Sequence, residues 1–344
     1  MPALEDSHSV TPATGWRPAH RVLRDPQGRL CAALPAYVKA HSYGEYVFDW
    51  SWADACQRAS MYYPKPFLVG VPFTPVAGVR ACWARRRGFA GAARVPWRGG
   101  RGKLGLSSIH VNFTDARADT LLAARDGWLE RLGCQYRWHN RGYRGTPGLP
   151  RPRSRKRKQL RKEREQVGGQ GIEFEWREGG QLSELEWDFV YLCYANTYLV
   201  RDRDPYLSRG VSSACWPERM PEAIRVVFAH QRGKPVAMAF SLVAGDTLYG
   251  RYWGCLAEFD RLHFETCFYQ GLEFAIGAGL ARFDAGAQGE HKLIRGFEPV
   301  LTRSWHYLAH PGLRDAVAQF LEQERAGVRA YAEEAHGLLP YRQA

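Results

Sequence analysis

Residues 224–254 read IRVVFAHQRGKPVAMAFSLVAGDTLYGRYWG, and this stretch decides the fold. The apolar run Ile224–Ala229 meets the turn residues Gln231-Arg232-Gly233-Lys234. A second run, Pro235–Val243, meets Gly245-Asp246, and Thr247–Gly254 follows. Short β-rich runs joined by glycine-bearing turns predict a three-stranded antiparallel meander. Beyond it the spacing predicts a helix over 261–280, with Asp260 as its N-cap. Phe264, Phe268, Gly271, Ala275 and Ala278 share one face, and His263, Cys267, Gln270 and Phe274 the next. Arg282–Ala285 then reads as a short strand that runs into Gly286-Ala-Gln-Gly289. The order meander, helix, strand, loop places that loop at the carboxyl end of a strand, where α/β sheets bind ligands. Residues 311–331 predict a closing amphipathic helix with Pro311 at its start.

Toward the N-terminus the signals are similar. A hairpin is predicted over 20–39 around the turn Asp25-Pro-Gln-Gly28, followed by a strand at Leu106–Phe113. A helix over Asp115–Leu132 and a strand over Cys134–His139 come next, and periodicity breaks at 143–153. Gly28 and Gly233 are each followed by a Tyr-Gly-x-Tyr (43–46 and 249–252) and then a tryptophan, Trp50 or Trp253. Such a match fits either coincidence or a duplicated α/β unit.

The chain has 344 residues, which suits two domains, and its 45% hydrophobic and 24% charged content is globular. No apolar run approaches the ~18 residues of a membrane span, and the first thirty residues lack the pattern of a secretory signal. The eight cysteines are scattered without a CxxC pair, which suits free thiols in a reducing cytoplasm. The net charge of +13 is local in origin. Residues 80–103 carry eight basic side chains and no acid, and residues 151–164 carry nine and one. The remainder is slightly acidic, so two patches are available to a phosphate-rich partner. The Walker, nucleophile-elbow and zincin motifs are missing, which weighs against nucleotide hydrolysis, serine hydrolysis and zinc protease chemistry, and the one G-x-G-x-x-G, Gly100–Gly105, lies in the basic stretch without the strand before it that dinucleotide binding needs.

Four clusters could carry chemistry. Between Gly286 and Gly296 lie Gln288, Glu290, His291, Lys292 and Arg295. A carboxylate beside an imidazole can supply a general base, and the cations can hold phosphate or carboxylate; the bland reading is a solvated loop. His263 and Cys267 form an i, i+4 pair that could bind a metal, but two ligands without a third do not make a site, and Glu265 beside them suits a helix N-terminus. His41–Trp52 alternates aromatics with Glu45 and Asp49, as a wall for a cationic amine or sugar would, or as ordinary strand packing. His110, on the same strand face as Ser108, is a site histidine or a satisfied core one. Ser154–Arg164 is a basic helix, either solvated or in contact with phosphate.

Taken together, HSYGEYVFDWSWADA (41–55), YYPK (62–65), PFTPVAG (72–78), SSIHVNF (107–113), SRKRKQLRKERE (154–165), GRYWG (250–254), HFETCFYQGLEFAI (263–276) and GAQGEHKLIRGFEPVLTRSWH (286–306) resemble the FemAB-like predicted N-acyltransferase family, a peptidoglycan biosynthesis or recognition group. The resemblance spans about 17–310. It implies an α/β fold of two tandem GNAT-like domains, with mixed, mostly antiparallel sheets flanked by helices. The domains implied are 1–148, a basic linker helix 149–165, and 166–344 with the C-terminal helix. It also implies transfer of an acyl or aminoacyl group to an amine, with acyl-CoA or aminoacyl-tRNA as co-substrate, no tightly bound cofactor, and a cell-wall precursor or small-molecule amine as acceptor. Lys292 is the nearest counterpart of the lysine in the Phe-Lys motif of Fem enzymes. The superfamily's pyrophosphate loop is missing from 254–263. The stretches 80–103 and 145–153 differ from the family's helical pattern, as basic loops or a slipped reading frame would, and the chain starts inside the family's first helix.

The expected site therefore has Glu290, His291 and Lys292 as catalytic residues and no metal. His263, Glu265, Tyr252, Trp253, Gln288 and Arg295 would bind substrate in one cleft, with Glu45, Asp49 and His110 facing it from the first domain. Arg155, Lys156, Arg157, Lys158 and Arg161 would hold donor phosphates. The rival expectation is a non-catalytic module that binds nucleic acid or cell-wall glycan through the basic helix.

Overall fold

A computed structural model describes residues 1–58, 67–80, 82–83, 107–143, 154–211, 216–287 and 289–339. It divides into two compact units, the first holding 10–134 and 301–331 and the second 2–9, 135–300 and 332–344. The division is not the contiguous one implied by the sequence, because the later part of strand Glu298–Leu308 and most of helix Pro311–Gly337 belong to the first unit. Most of the segment 80–103 and all of 145–153 lie outside the described residues.

In the second unit the meander forms as expected. Ile224–Gln231, Lys234–Ala244 and Thr247–Cys255 pair antiparallel in succession, with Val226 opposite Phe240 and Phe240 opposite Tyr252. Gly233 (φ 73°) and Gly245 (φ 59°) supply the left-handed backbone that the two tight turns need. Ile172–Glu178 pairs antiparallel with Ile224–Gln231. Arg282–Asp284 lies parallel to Thr247–Cys255, a pairing that needs a crossover, and the helical segment 262–277 provides it. Residues 137–139 pair antiparallel with Arg282–Asp284. Trp138, Leu248, Leu272, Phe283 and Phe297 fill the core and are all no more than 1% exposed.

Helix Glu184–Leu199 has no counterpart in the sequence reading. Ser183 and Glu186 cap its start reciprocally, with the Glu186 N–H donating to Ser183 Oγ. The helix runs so close to Thr247–Cys255 that Asn196 donates to the Cys255 carbonyl (2.9 Å) and Thr197 to the Trp253 carbonyl (2.7 Å).

In the first unit the strand order is Trp16–Pro18, Ala36–Lys39, Phe67–Val69, Ser108–Val111, Glu298–Leu308. Val38, Phe67, Val69, Ile109, Val111 and Trp305 form its core. The second arm of the hairpin expected over 20–39 is split by Pro35. Leu30–Leu34 stays in a small sheet with Arg21–Arg24, while Ala36–Lys39 joins the larger one. Proline has no N–H to continue the ladder. The helix expected over Asp115–Leu132 is shorter. Asp115 caps it, it spans Ala116–Ala123, and Gly127 (φ 78°) turns the chain into strand Trp128–His139. Tyr43–Tyr46 lies in a bend whereas Tyr249–Tyr252 lies in a strand, so the shared tetrapeptide does not mark equivalent elements. Among the described residues no helix is long and apolar enough to cross a membrane.

Two glycines test the packing. A Cβ on Gly254 would stand 1.9 Å from the Cys193 carbonyl oxygen, a backbone atom that cannot step aside, whereas one on Gly277 would meet nothing within 4 Å. Gly254→Ala is expected to lower the urea midpoint by the equivalent of about 3 kcal/mol. Gly277→Ala is expected to raise it by up to about 1 kcal/mol.

Candidate functional site

Two neighbouring strands of the second unit part company at one end. Thr247–Cys255 and Arg282–Asp284 stay in register for Thr247–Arg282, Leu248–Phe283 and Tyr249–Asp284. Arg282–Asp284 then ends while its neighbour runs on through a bulge beside Phe240 and Ser241, where Arg251 is the extra residue. The loop 285–289 and the short helix Glu290–Arg295 follow at this opening. Gly289 is required there. Its φ is 109°, and a Cβ on it would stand 2.3 Å from the His291 ring.

Lys292 is 3% exposed, and its Nζ donates to the Gly286 carbonyl at 2.9 Å. Burial pulls its pKa down to about 8, partly offset by the nearby Asp284. Asp284 is itself buried, accepts from the Gly286 N–H (3.1 Å) and pairs with Arg137 (3.2 Å). His291 is half-buried. Burial lowers its pKa, and the charges of Lys292 and Arg295 lower it further. The His263 ring lies 6.1 Å from that of His291 and 5.4 Å from Trp253, and burial brings its pKa down to about 4. Both imidazoles are therefore neutral at neutral pH, next to an ammonium that burial destabilises. Cys267, one turn along from His263, has its thiol pKa raised by burial. It sits in the π-helical turn Glu265–Tyr269, an irregularity frequent at functional sites. Glu290 is exposed at the start of the turn.

Arg295 and Glu265, expected at the substrate, are instead paired inside the unit. Arg295 is 2% exposed. It donates to Glu163 Oε2 (2.6 Å) and to the His291 carbonyl (2.7 Å), with its guanidinium 4.0 Å from the Phe264 ring centroid. Glu265 receives Arg164 through contacts of 2.8–3.1 Å. Helix Ser154–Gly169 is thus fastened to the site by two adjacent residues of opposite charge. Tyr269 adds a hydrogen bond to Glu163 (2.8 Å).

Tyr252 and Trp253 do not share a cleft, because neighbours in a strand face opposite ways. Trp253 meets His263. Tyr252 meets Tyr194 (4.9 Å) and Trp216 (6.1 Å), in a small apolar pocket that Val190, Leu207 and Met238 also line. The sequence missed this pocket together with helix Glu184–Leu199. Glu45, Asp49 and His110 belong to the first unit, where they gather with Lys39 and His306. On the basic helix, Lys158 and Arg161 are exposed. Gln288 and the side chains of Arg155, Lys156 and Arg157 lie outside the described residues. Asp260 does not cap 262–277; Arg261, in the left-handed region (φ 63°), precedes the first turn. Among the described residues no three His, Cys, Asp or Glu side chains are grouped to hold a metal ion.

A family model described as FemAB-like, peptidoglycan biosynthesis/recognition, matches residues 1–343. No curated protein matches the chain. Among solved structures, the C-terminal domain of a protein named as a lysylphosphatidylglycerol synthetase from Agrobacterium fabrum aligns at TM-score 0.55 and 13% identity, over 93% of this chain and 96% of that one. L-PGS from Bacillus licheniformis aligns at 0.56 and 9%, over 93% and 95%. FemX aligns at 0.51 and 10%, over 93% of each. At these identities the likeness shows the fold.

Two outcomes are expected. Arg295→Met leaves the buried Glu163 carboxylate with only the Tyr269 hydroxyl (2.8 Å) and the more distant Arg261 (4.0 Å) and should cost about 3 kcal/mol in urea unfolding, most of which the double variant with Glu163→Gln recovers. The second concerns pH. Lys292 binds its proton up to about 10.5 when unfolded but only to about 8 when folded, so the folded chain gains stability as pH rises between those values. Lys292→Met lacks that gain. Wild-type stability relative to the variant should therefore climb by up to about 3 kcal/mol from pH 8 to 10.5, read from urea midpoints.

Proposed function

The chain belongs to the FemAB-like family of peptidoglycan biosynthesis and recognition, a transferase group with the tandem GNAT-like fold, and from that premise we propose that it transfers an acyl or aminoacyl group to an amine. The observation that carries the reading is Lys292, an ammonium buried at the opening of the sheet and flanked by the neutral imidazoles of His263 and His291.

The chemistry follows from those charge states. The acceptor arrives as an ammonium and must lose a proton before its nitrogen can attack. His291, neutral and half-buried, takes that proton, with the exposed Glu290 beside it as the alternative base. The C–N bond forms, and the carbonyl oxygen of the donor becomes an oxyanion. Lys292 stabilises it from a site with little water. The C–S bond of a thioester, or the C–O bond of a charged tRNA, then breaks, the leaving group takes the proton from the imidazolium, and the second proton of the new amide nitrogen passes to the freed imidazole or to water. His263, Trp253 and Cys267 wall the cleft. Lys158 and Arg161 are exposed where they could meet donor phosphates, Arg161 by giving up its surface pair with Glu165 (3.1 Å). Such donors place the reaction in the cytoplasm. The names of the neighbours, a lysylphosphatidylglycerol synthetase and FemX, accord with this class of reaction.

Incubation with acyl-CoAs or aminoacyl-tRNAs and amine acceptors, followed by mass spectrometry of the amide, tests the reading. Lys292→Met is expected to lower kcat by about 10²–10³-fold. His291→Ala is expected to lower it by about 10²-fold. Full turnover in both Glu290→Gln and His291→Ala would remove the base assignment, and failure of every donor to give product would remove the function. If the donor is a tRNA, Lys158→Ala with Arg161→Ala raises its KM and flattens the salt dependence.

A further inference from the structure

The two faces of strand Thr247–Cys255 are put to different uses. On one face Trp253 meets His263, and Cys267 of the same helical segment is near enough to Lys292 to act on its charge. The basic helix Ser154–Gly169 is fastened there as well, through Glu265 and Arg295. In the transfer reading, the chemistry and the donor phosphates therefore share this face. Tyr252 points to the other face, against Tyr194 of helix Glu184–Leu199. Among the described residues, the strand pairs with Arg282–Asp284 only as far as Tyr249. Tyr252 thus stands on the edge that borders the opening.

Beside Tyr252, on that second face, lies a hollow of about 20 Å³. The sheet contributes Met238 and Tyr252 to its lining, the helix contributes Val190, and the chain beyond the helix contributes Leu207 and Val211. Trp216 completes an aromatic wall, its ring nearly parallel to those of Phe240 (5.0 Å, 24°) and Tyr252 (6.1 Å, 18°). Two polar groups of the lining are engaged elsewhere. The Tyr194 hydroxyl accepts from the Leu207 N–H (3.0 Å), and the Ser208 hydroxyl donates to the Ser7 carbonyl (2.6 Å) and accepts from the Ser9 hydroxyl (3.1 Å). No charged side chain is among the described residues that line it. An apolar hollow of this size stays dry and admits about one or two groups as large as a methyl.

Its walls are also kept apart. Asn196 and Thr197 tie the helix to the Cys255 and Trp253 carbonyls, and Tyr194 ties down the backbone at Leu207. Interiors normally pack without voids, so a gap held open by fixed backbone is room kept for a guest.

We propose that this hollow seats a short, uncharged alkyl group carried by the amine acceptor. The inference rests on the transfer reading for calling the occupant an acceptor. With the donor's phosphates and Lys292 on one face, the opposite face is the one left for the acceptor, and Tyr252 belongs both to that face and to the edge of the opening. A charged group would lose its hydration there and meet no counter-charge, and a long chain would not fit.

Calorimetric titration of the purified full chain with the n-alkylamines from ethylamine to n-hexylamine, and with acyl pantetheines from acetyl to hexanoyl, tests the site. The Kd of the amines is expected to fall about fourfold per methylene over about two methylenes and then to level, while that of the acyl pantetheines does not change with chain length. 1,4-Diaminobutane, which matches n-pentylamine in length but ends in a second charge, should lack the gain. Val190→Leu should bring the levelling about one carbon earlier, and Met238→Val about one carbon later. An absent or flat amine series, a fall that never levels, or a fall in the acyl series instead would overturn the proposal. Levelling at the same carbon in the variants overturns it too, and should one variant fail to fold, the other decides. Amide formed at rates that ignore amine length removes the role of the hollow and leaves the transfer reading standing. Length-dependent binding without amide from any donor removes the transfer reading and leaves the hollow as an alkyl site.

Discussion

Burying a charge is tolerable only when its partner is buried with it, and the turn that bears Lys292 depends on that constraint. Glu163 and Arg164 are neighbours on one helix, yet they reach different elements, Arg295 of the turn and Glu265 of the following helix. Exchanging the two would set like charges together in a dry interior, so the pairing fixes one seating of the basic helix and penalises others. Arg295 in turn holds the His291 carbonyl. The position of His291 and Lys292 thus follows from an ion pair made well away in sequence, and the run of basic residues in 154–164 is a docking helix on its inner side before it is anything else.

The parts of the sequence that were legible were those governed by local physics. The meander could be read because Gly233 and Gly245 sit where a tight turn needs left-handed backbone, and because β-rich runs flank them. The candidate loop could be read because it closes a strand between glycines. What escaped needed long-range information. Helix Glu184–Leu199 carries Trp187, Val190, Cys193 and Tyr194 as buried residues but also exposes Leu185, Leu192 and Leu199, so no clean polar stripe announces it. The burial of Arg295 and Glu265 depends on partners about a hundred residues or more away, which spacing cannot supply. Tyr252 and Trp253 were misplaced for a simpler reason. They were read as a motif, and a strand separates neighbours onto two faces.

Both units bury polar groups, some paired and some not. In the second, Glu163, Glu265 and Asp284 each meet a guanidinium within hydrogen-bonding distance. In the first, among the described residues, Glu45 Oε1 stands 3.5 Å from the Lys39 ammonium, and the neutral pair His110 and His306 ends at His306 Nε2 without a partner. A network kept for architecture alone tends to close on itself, because each open atom weakens the fold it belongs to.

Lys292 is a buried charge of another kind, with a hydrogen bond but no close counter-ion of its own among the described residues. Its burial lowers its affinity for a proton and so reduces stability at neutral pH, a cost that a methionine of similar length would not carry. Among the described residues its one hydrogen bond is to the Gly286 carbonyl, a neutral acceptor that does not quench its charge. Asp284, the nearby acid, is engaged by Arg137. An ammonium kept short of counter-charge in a dry cleft gains more from a new negative charge than one already paired or solvated, because little must be displaced before the two can interact. Two neutral imidazoles beside it add no competing anion and can accept a proton. Local instability of this kind is characteristic of a working site, and it favours Lys292 over the better-paired Arg295 three residues on as the residue for the proposed transfer.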